Sequence, residues 1–383
     1  VDSDSVVKLK ENKDKYRGLD GNLGSWKREY PYKDTLRDVM GSITTSKQGV
    51  PSELRSYYEA MGYSLTDRVG QSGLEKQYED LLSGTPRVSE ISYDSDGTAI
   101  MNETSSGKNG YDLHLTIDVE LQKKVDDILE DTLKKYAGTA GHEKFKKAIV
   151  VLMNPQTGEI YAMSGKYLDE DGKIQNYSSG AYLDAFASGS VVKGATVYMM
   201  LDQGLQTRYS TEQDEEMKIA GTPFKRSFNT YGTVNSIRAL AVSSNVYMFK
   251  SVIKLAGGNY VYNQPLGITN EMAQKTFKLM RNYYSMFGLG TKTGLDVPNE
   301  AQGFTGNTMN PGLLLDYSIG QYDNYTPIQL VQYAATIANG GKKVQPKLVN
   351  TATEVNTDYT VYENKTQVLS ALPGSKEDLE TIQ

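Results

Sequence analysis

No cysteine and only two histidines, His114 and His142, occur in the 383 residues of the sequence. The absence of cysteine excludes disulfide bonds, thiol catalysis and metal sites built from cysteine. A Ser-His-Asp triad would have to use one of the two histidines. His114 lies in an alternating, strand-like run and His142 in a polar stretch, so we interpret both as structural or solvated. No histidines and carboxylates are spaced as metal ligands, so the sequence predicts neither a metal site nor a cofactor.

An excess of positive charge and a long apolar run are also missing. Acidic residues outnumber basic ones by 47 to 41, for a net charge of −6, and the basic residues are dispersed. The electrostatic footprint of a nucleic-acid-binding protein is therefore absent, and we expect no nucleic-acid partner. No apolar run approaches the roughly 20 residues that cross a bilayer. A 38% hydrophobic content in 383 residues is enough for a sizeable core.

The sequence does contain a serine and a lysine three residues apart, Ser190 and Lys193. On a helix, side chains at i and i+3 share one face, so the lysine amine can lie beside the serine hydroxyl and activate it as a nucleophile. The spacing alone is not decisive because it recurs three times. The other pairs are Ser5 and Lys8, Ser105 and Lys108, and Ser251 and Lys254.

The predicted setting of Ser190 separates it from the other three pairs. Residues 148–153 and 159–163 have the pattern of two strands around a turn at 154–158. A loop rich in serine and glycine then leads into an apolar helix over 191–201. Ser190 would lie at the start of that helix, where N–H groups and the helix dipole favour an alkoxide-like nucleophile and a developing oxyanion.

A second motif, Ser243-Ser244-Asn245, precedes another predicted helix over 246–256. Taken alone, Ser243 could be a plain N-cap for that helix. Together with Ser190 and Lys193, a second hydroxyl can relay a proton to a leaving amine, and Asn245 can orient a substrate amide. The two motifs together predict a serine enzyme that transfers acyl groups.

A charged stretch over 203–232 lies between the two motifs. Its composition indicates a loop, which could border the cleft. We interpret it instead as a solvated face. Its carboxylates include Glu212, Asp214, Glu215 and Glu216.

With these motifs, the chain resembles a class B penicillin-binding protein, the D,D-transpeptidase that cross-links peptidoglycan. Several further segments carry the resemblance in the family's order: 65–70, 72–78, 115–118, 154–158, 287–290, 294–298, 318–321 and 335–341. The stretches 244–250 and 319–327 most resemble the elongation-type enzymes of low-GC Gram-positive bacteria. One departure is Ser188, which stands where the family usually has proline, and we expect activity to survive it.

The resemblance implies an α+β fold in two parts. Residues 1–110 would be a non-catalytic pedestal domain and linker. Residues 111–383 would be a penicillin-binding, serine β-lactamase-like transpeptidase domain with an antiparallel sheet flanked by helices. By the same resemblance, Ser190 would be the acylated nucleophile and Lys193 its general base. Ser243 and Asn245 would line the cleft as the second motif, and Ser244 would contact substrate.

The family's third motif, Lys-Thr/Ser-Gly on a core strand, has one match, Lys292-Thr293-Gly294. We interpret it as a separate element, because Pro298 follows too soon for a central strand. The expected position lies after residue 341, where no second match occurs. We therefore expect the transpeptidase domain to be truncated before its third motif, a degenerate site being the alternative.

The resemblance also implies ligands, partners and location. Peptidoglycan stem peptides and β-lactams would bind at Ser190, and proteins of the elongation machinery would be partners. An N-terminal anchor outside this chain would place the catalytic domain on the outer face of the cell membrane. Two alternatives stay open: a D,D-carboxypeptidase or β-lactamase-like hydrolase, and a non-catalytic scaffold of the elongation machinery.

Overall fold

The computed structural model describes residues 5, 8–9, 11–12, 15–16, 28–97 and 99–383. The chain divides into two compact units, Val1–Thr35 and Leu36–Gln383. In the first unit, the described residues include helical positions at 5, 8, 9 and 11 and turns at 31–35. All residues of the two serine motifs belong to the second unit.

The second unit begins with short helices and a hairpin. The helices are α1 (Arg37–Met40), α2 (Arg55–Ala60), α3 (Gly73–Gln77) and α4 (Glu79–Leu82). The hairpin pairs β1 (Val88–Tyr93) with β2 (Ala99–Ser105) in antiparallel register. The side chains of β1 are all exposed, so this hairpin adds nothing to the main core.

The predicted strand, turn and strand before Ser190 are confirmed. Strand β4 (Lys147–Met153) pairs with β5 (Ile160–Leu168), and β5 pairs with β6 (Ile174–Asn176), all antiparallel. The Asn154 side chain accepts the N–H groups of Gln156 and Thr157, and Gly158 takes a positive φ of 79°. An asparagine side chain that accepts N–H groups of the following residues and a glycine at positive φ both favour a tight turn. Strand β3 (Asp112–Leu115) belongs to a second sheet, of order β13-β12-β3, with β12 (Val349–Thr353) and β13 (Thr360–Glu363).

Helices cover and extend these sheets. Helix α5 (Val119–Tyr136) packs on β5, and Asp118 caps it by accepting two N–H groups of its first turn. The other long helices are α9 (Asn245–Leu255), α10 (Asn270–Met286) and α12 (Pro327–Ala338). The shorter elements are α6 (Gly180–Leu183), β7 (Phe186–Ala187), α7 (Lys193–Asp202), β8 (Thr211–Asp214), β9 (Gly232–Asn235), α8 (Ser236–Ala241), α11 (Pro311–Ser318), β10 (Asn324–Tyr325), β11 (Lys342–Val344), β14 (Val368–Ala371) and α13 (Lys376–Ile382).

Helix α7 lies in the middle of the largest core. Its residues from Lys193 to Leu201 are all buried, and α9, α10 and α13 pack around it. Four tyrosines, at 198, 247, 284 and 317, are fully or almost fully buried there. Each such ring removes roughly 150–250 Å² from water, so the helix is anchored from several sides. Because α7 starts inside this core, the first side chain of the helix, Lys193, is placed in the protein interior.

The mixture of antiparallel strands and flanking helices confirms the predicted α+β fold class. The division between residues 110 and 111 stays a prediction. Across the described ranges, no helix is both long enough and apolar enough to pass through a bilayer.

Candidate active site

Ser190 lies in a 3₁₀ turn, Gly189–Val192, that runs directly into helix α7. Gly189 has a φ of 55°, a left-handed conformation that glycine adopts most readily. Its N–H donates to the carbonyl of Gly320 at 2.9 Å. A Cβ at Gly320 would lie 2.0 Å from the Gly189 carbonyl oxygen, so the two backbones approach too closely for a side chain. This contact fixes the turn and leaves Ser190 at the surface.

Lys193, one helical turn further on, is only 2% exposed. Its ammonium donates to the carbonyl oxygen of Ser243 at 2.7 Å, to Ser243 Oγ at 3.0 Å and to Asn245 Oδ1 at 2.7 Å. An ammonium has three N–H donors, so these partners satisfy all of them. Burial lowers the pKa of Lys193 to about 8, and the negative charge of Asp214 acts in the opposite direction. Lys193 can therefore lose its proton near neutral pH.

Ser190 and Lys193 face the same open pocket of about 690 Å³. Leu240, Tyr333 and Ile337 also line it, so apolar side chains form part of its wall. Among the hydrogen bonds of the described residues, none joins Ser190 to Lys193. The i to i+3 spacing brings the two residues to one pocket, but the amine is bound by the second motif. In ligand-free enzymes such catalytic hydrogen bonds often tighten only when substrate binds.

The second motif forms the corner between helices α8 and α9. Ser243 has a positive φ of 55°, which is rare for a residue with a side chain and costs about 1–3 kcal/mol. The N-cap of α9 is Ser244, whose Oγ accepts the N–H of Tyr247 at 3.0 Å. The alternative that made Ser243 the N-cap is therefore wrong. Ser243 instead presents both of its oxygens to Lys193.

Ser244 is fully buried, and its hydroxyl donates to the carboxylate of Asp214. The side chain for which the sequence predicted a substrate contact thus points into the protein. Asp214, at the end of β8, is 1% exposed and also accepts the hydroxyl of Ser227 at 2.7 Å. The interpretation of residues 203–232 as a solvated face is wrong for Asp214. Strand β8 reads Thr-Glu-Gln-Asp, and no apolar alternation in those residues marks the fourth one as buried.

The Lys292-Thr293-Gly294 triplet lies in an irregular segment, not in a strand. Thr293 is fully buried, and both its N–H and its hydroxyl donate to Glu300 Oε1, at 2.7 and 2.6 Å. The carbonyl of Thr293 accepts the side chain of Gln332 from helix α12. These contacts make the triplet part of the packing against α12.

The two histidines lie elsewhere in the structure. His114, on strand β3, shares a hydrogen bond of 2.9 Å with Thr353 Oγ1 on β12. His142 is exposed in a turn beside Tyr136. This confirms their interpretation as structural or solvated residues.

Comparison with known proteins relates the chain to one family. The profile of the "Penicillin binding protein transpeptidase domain" matches residues 148–383, and that of the "Penicillin-binding Protein dimerisation domain" matches residues 1–115. Penicillin-binding protein 2A of Bacillus subtilis (strain 168) is 42% identical over 361 residues, which cover 93% of this chain and 50% of that protein. Penicillin-binding protein H of the same strain is 38% identical over 388 residues, which cover 99% of this chain and 54% of that protein.

A solved structure gives the same relationship. Penicillin-binding protein 2B of Streptococcus pneumoniae (strain 5204) matches with a TM-score of 0.86 and 30% sequence identity. The match covers 100% of this chain and 64% of that chain. The chain spans about half the length of the curated relatives that it matches.

Proposed function

Because the chain belongs to the penicillin-binding protein transpeptidase family, we propose that it forms peptidoglycan cross-links as a serine D,D-transpeptidase. Ser190 Oγ attacks the carbonyl carbon of the penultimate D-alanine of a stem peptide. The peptide C–N bond breaks, the terminal D-alanine leaves as an amine, and an ester on Ser190 remains. An amine of a neighbouring stem peptide then attacks the ester, which forms the cross-link and restores the serine.

The observation that carries this proposal is the buried amine of Lys193 in the pocket of Ser190. With a pKa of about 8, a useful fraction of Lys193 is neutral at physiological pH. Neutral Lys193 has two N–H groups and one lone pair, so it can keep two of its three partners in the second motif. The freed lone pair can take the proton of Ser190 as the hydroxyl attacks.

Ser243 and Asn245 have distinct roles in this proposal. Ser243 Oγ lies 3.0 Å from Lys193 Nζ, so a proton can pass from the lysine through that hydroxyl to the leaving amine. Asn245 accepts from Lys193, and its Nδ2 donates to the carbonyl of Arg226 at 3.2 Å, which fixes the amide beside Lys193. We assign this amide a contact with a substrate amide. We assign Ser244 a structural role in place of the predicted substrate contact, because its hydroxyl is fully buried.

The rest of the proposal concerns the whole protein. A β-lactam would acylate Ser190 in place of the stem peptide. We propose a pedestal over residues 1–110 and a catalytic domain over 111–383, a division supported by the two family matches. A membrane anchor and elongation-machinery partners belong to the same proposal. One chain of a solved complex between PBP2 and MreC of Helicobacter pylori has the same fold as this protein, with a TM-score of 0.65. The match covers 92% of this chain and 62% of that one. At 19% identity, this likeness concerns the fold alone.

A product assay with the full-length protein tests the reaction. The protein is incubated with a donor peptide ending in D-Ala-D-Ala and an acceptor peptide with a free side-chain amine, and the products are separated by mass. Transpeptidation predicts released D-alanine and a donor–acceptor adduct, both lost in Ser190→Ala. Released D-alanine with only hydrolysed donor would establish a carboxypeptidase instead. No release and no penicillin adduct would support the scaffold alternative.

A further inference from the structure

A buried carboxylate lies behind the corner that binds Lys193. Asp214 ends strand β8, and a single oxygen, Oδ2, accepts the hydroxyls of Ser227 and Ser244. The three residues are 1%, 5% and 0% exposed, so water does not compete for these bonds. Hydrogen bonds from a hydroxyl to an ionised acceptor are roughly twice as strong as neutral ones.

Both hydroxyls are held in one orientation by the backbone. Ser227 Oγ accepts the N–H groups of Asn245 at 2.9 Å and Val246 at 3.2 Å. Ser244 Oγ accepts the N–H of Tyr247 at 3.0 Å. Each hydroxyl has a single hydrogen, and with its lone pairs turned to N–H donors that hydrogen is directed to Asp214. The carboxylate thus completes hydrogen-bond chains that end on the first backbone N–H groups of helix α9.

One of these N–H groups belongs to Asn245, whose side chain binds the catalytic amine. Ser243 and Asn245 flank Ser244 in the chain and supply all three acceptors of Lys193. We propose that Asp214 is a positioning residue of this site, which holds the corner through Ser227 and Ser244 and thereby sets where Lys193 is held. This inference rests on the proposed acyl-transfer function. Asp214 itself is too deeply buried to touch a substrate.

The charge of Asp214 adds a second, separable effect. Its field raises the pKa of Lys193, against the lowering by burial. Charged residues of the segment 214–226 form ion pairs: Arg226 pairs with Glu216 at 3.7 Å, and Lys225 pairs with Asp316 at 2.6 Å. Glu215 follows Asp214 in the chain, is exposed, and lines with it a second pocket of about 260 Å³ that is distinct from the pocket of Ser190. Removing the charge of Asp214 should therefore leave more neutral Lys193 at a given pH.

Two substitutions in the full-length protein separate position from charge. Asp214→Asn keeps an amide oxygen for the two serine hydroxyls but removes the charge, whereas Asp214→Ala removes the acceptor as well. The rate of acylation by a fluorescent penicillin is measured against pH, together with the thermal midpoint of unfolding. In Asp214→Asn, the acid limb of the rate profile, where the rate falls as pH falls, should move to lower pH. In Asp214→Ala, the maximal rate should fall about tenfold to a hundredfold, the scale of a misplaced catalytic group.

Glu215→Gln is the matched control, because it removes the adjacent but exposed carboxylate. It should keep the rate and the acid limb of the wild-type protein. A purely structural role for Asp214 would lower the thermal midpoint alone. The inference is overturned if folded Asp214→Ala keeps the wild-type maximal rate, or if the acid limb of Asp214→Asn stays in place or moves upward. The second test stands even if Asp214→Ala does not fold. A wild-type protein that forms no adduct would overturn the proposed function, and this inference with it.

Discussion

The buried position of Lys193 predicts a specific dependence of acylation on pH. Burial lowers the pKa of this amine from the ordinary 10.5 to about 8. At pH 7, a lysine with a pKa of about 8 is roughly 10% neutral, against roughly 0.03% at the ordinary value, so burial increases the free base about 300-fold. Only the neutral amine can accept the proton of Ser190. The acylation rate should therefore rise about tenfold per pH unit below about 8 and become level above it.

The assay is the second-order rate constant for acylation by a fluorescent penicillin, measured from about pH 6 to about pH 10 with each aliquot corrected for hydrolysis of the penicillin. Lys193→Arg is the informative variant, because an arginine side chain stays protonated in proteins. It should lose about 10²–10⁴ of the rate at every pH. A rate profile that is flat through pH 8, or one that keeps rising toward pH 10.5, would show that burial does not set the pKa of the general base.

Three further substitutions test how the fold supports the site. Gly320→Ala should lower the acylation rate about tenfold or more while the protein stays folded, because its Cβ would lie 2.0 Å from the Gly189 carbonyl oxygen. Ser188→Pro should raise the free energy of unfolding by about 0.4–1 kcal/mol without changing acylation, since its φ of −70° suits proline. Tyr78→Phe should lower that free energy by about 1–3 kcal/mol in denaturant titrations, because its hydroxyl donates to buried Asp296 at 2.7 Å. These expectations would be contradicted by unchanged acylation in Gly320→Ala, by a loss of stability in Ser188→Pro, or by unchanged stability in Tyr78→Phe.

Local signals in the sequence were sufficient for the elements that lead to Ser190. The strands around the turn at 154–158 are marked by apolar runs, and the turn is made by the Asn154 side chain and by Gly158, residues within the turn itself. The helix after Ser190 is marked by its continuous apolar composition. Interactions of this kind depend on neighbours in the chain, and a single sequence contains them.

The hydrogen bonds that organise the site join residues far apart in the chain, so local sequence patterns do not predict them. Lys193 binds residues 50 and 52 positions away, so a spacing of three residues could place it near Ser190 but could not identify its partners. Asp214 lies in a charged stretch and would be solvated by composition alone. Its burial depends on serines 13 and 30 residues further on, which the fold brings to it.

The role of Ser190 as the nucleophile is tested most directly by the mass of the penicillin-treated full-length protein, followed by peptide mapping of the modified residue. An acyl-serine mechanism predicts one covalent adduct per chain, located on the peptide that contains Ser190. The adduct should be absent from Ser190→Ala and formed at the wild-type rate in Ser188→Pro. An adduct that persists in Ser190→Ala, or one that maps to another residue, would contradict the assignment of Ser190 as the nucleophile.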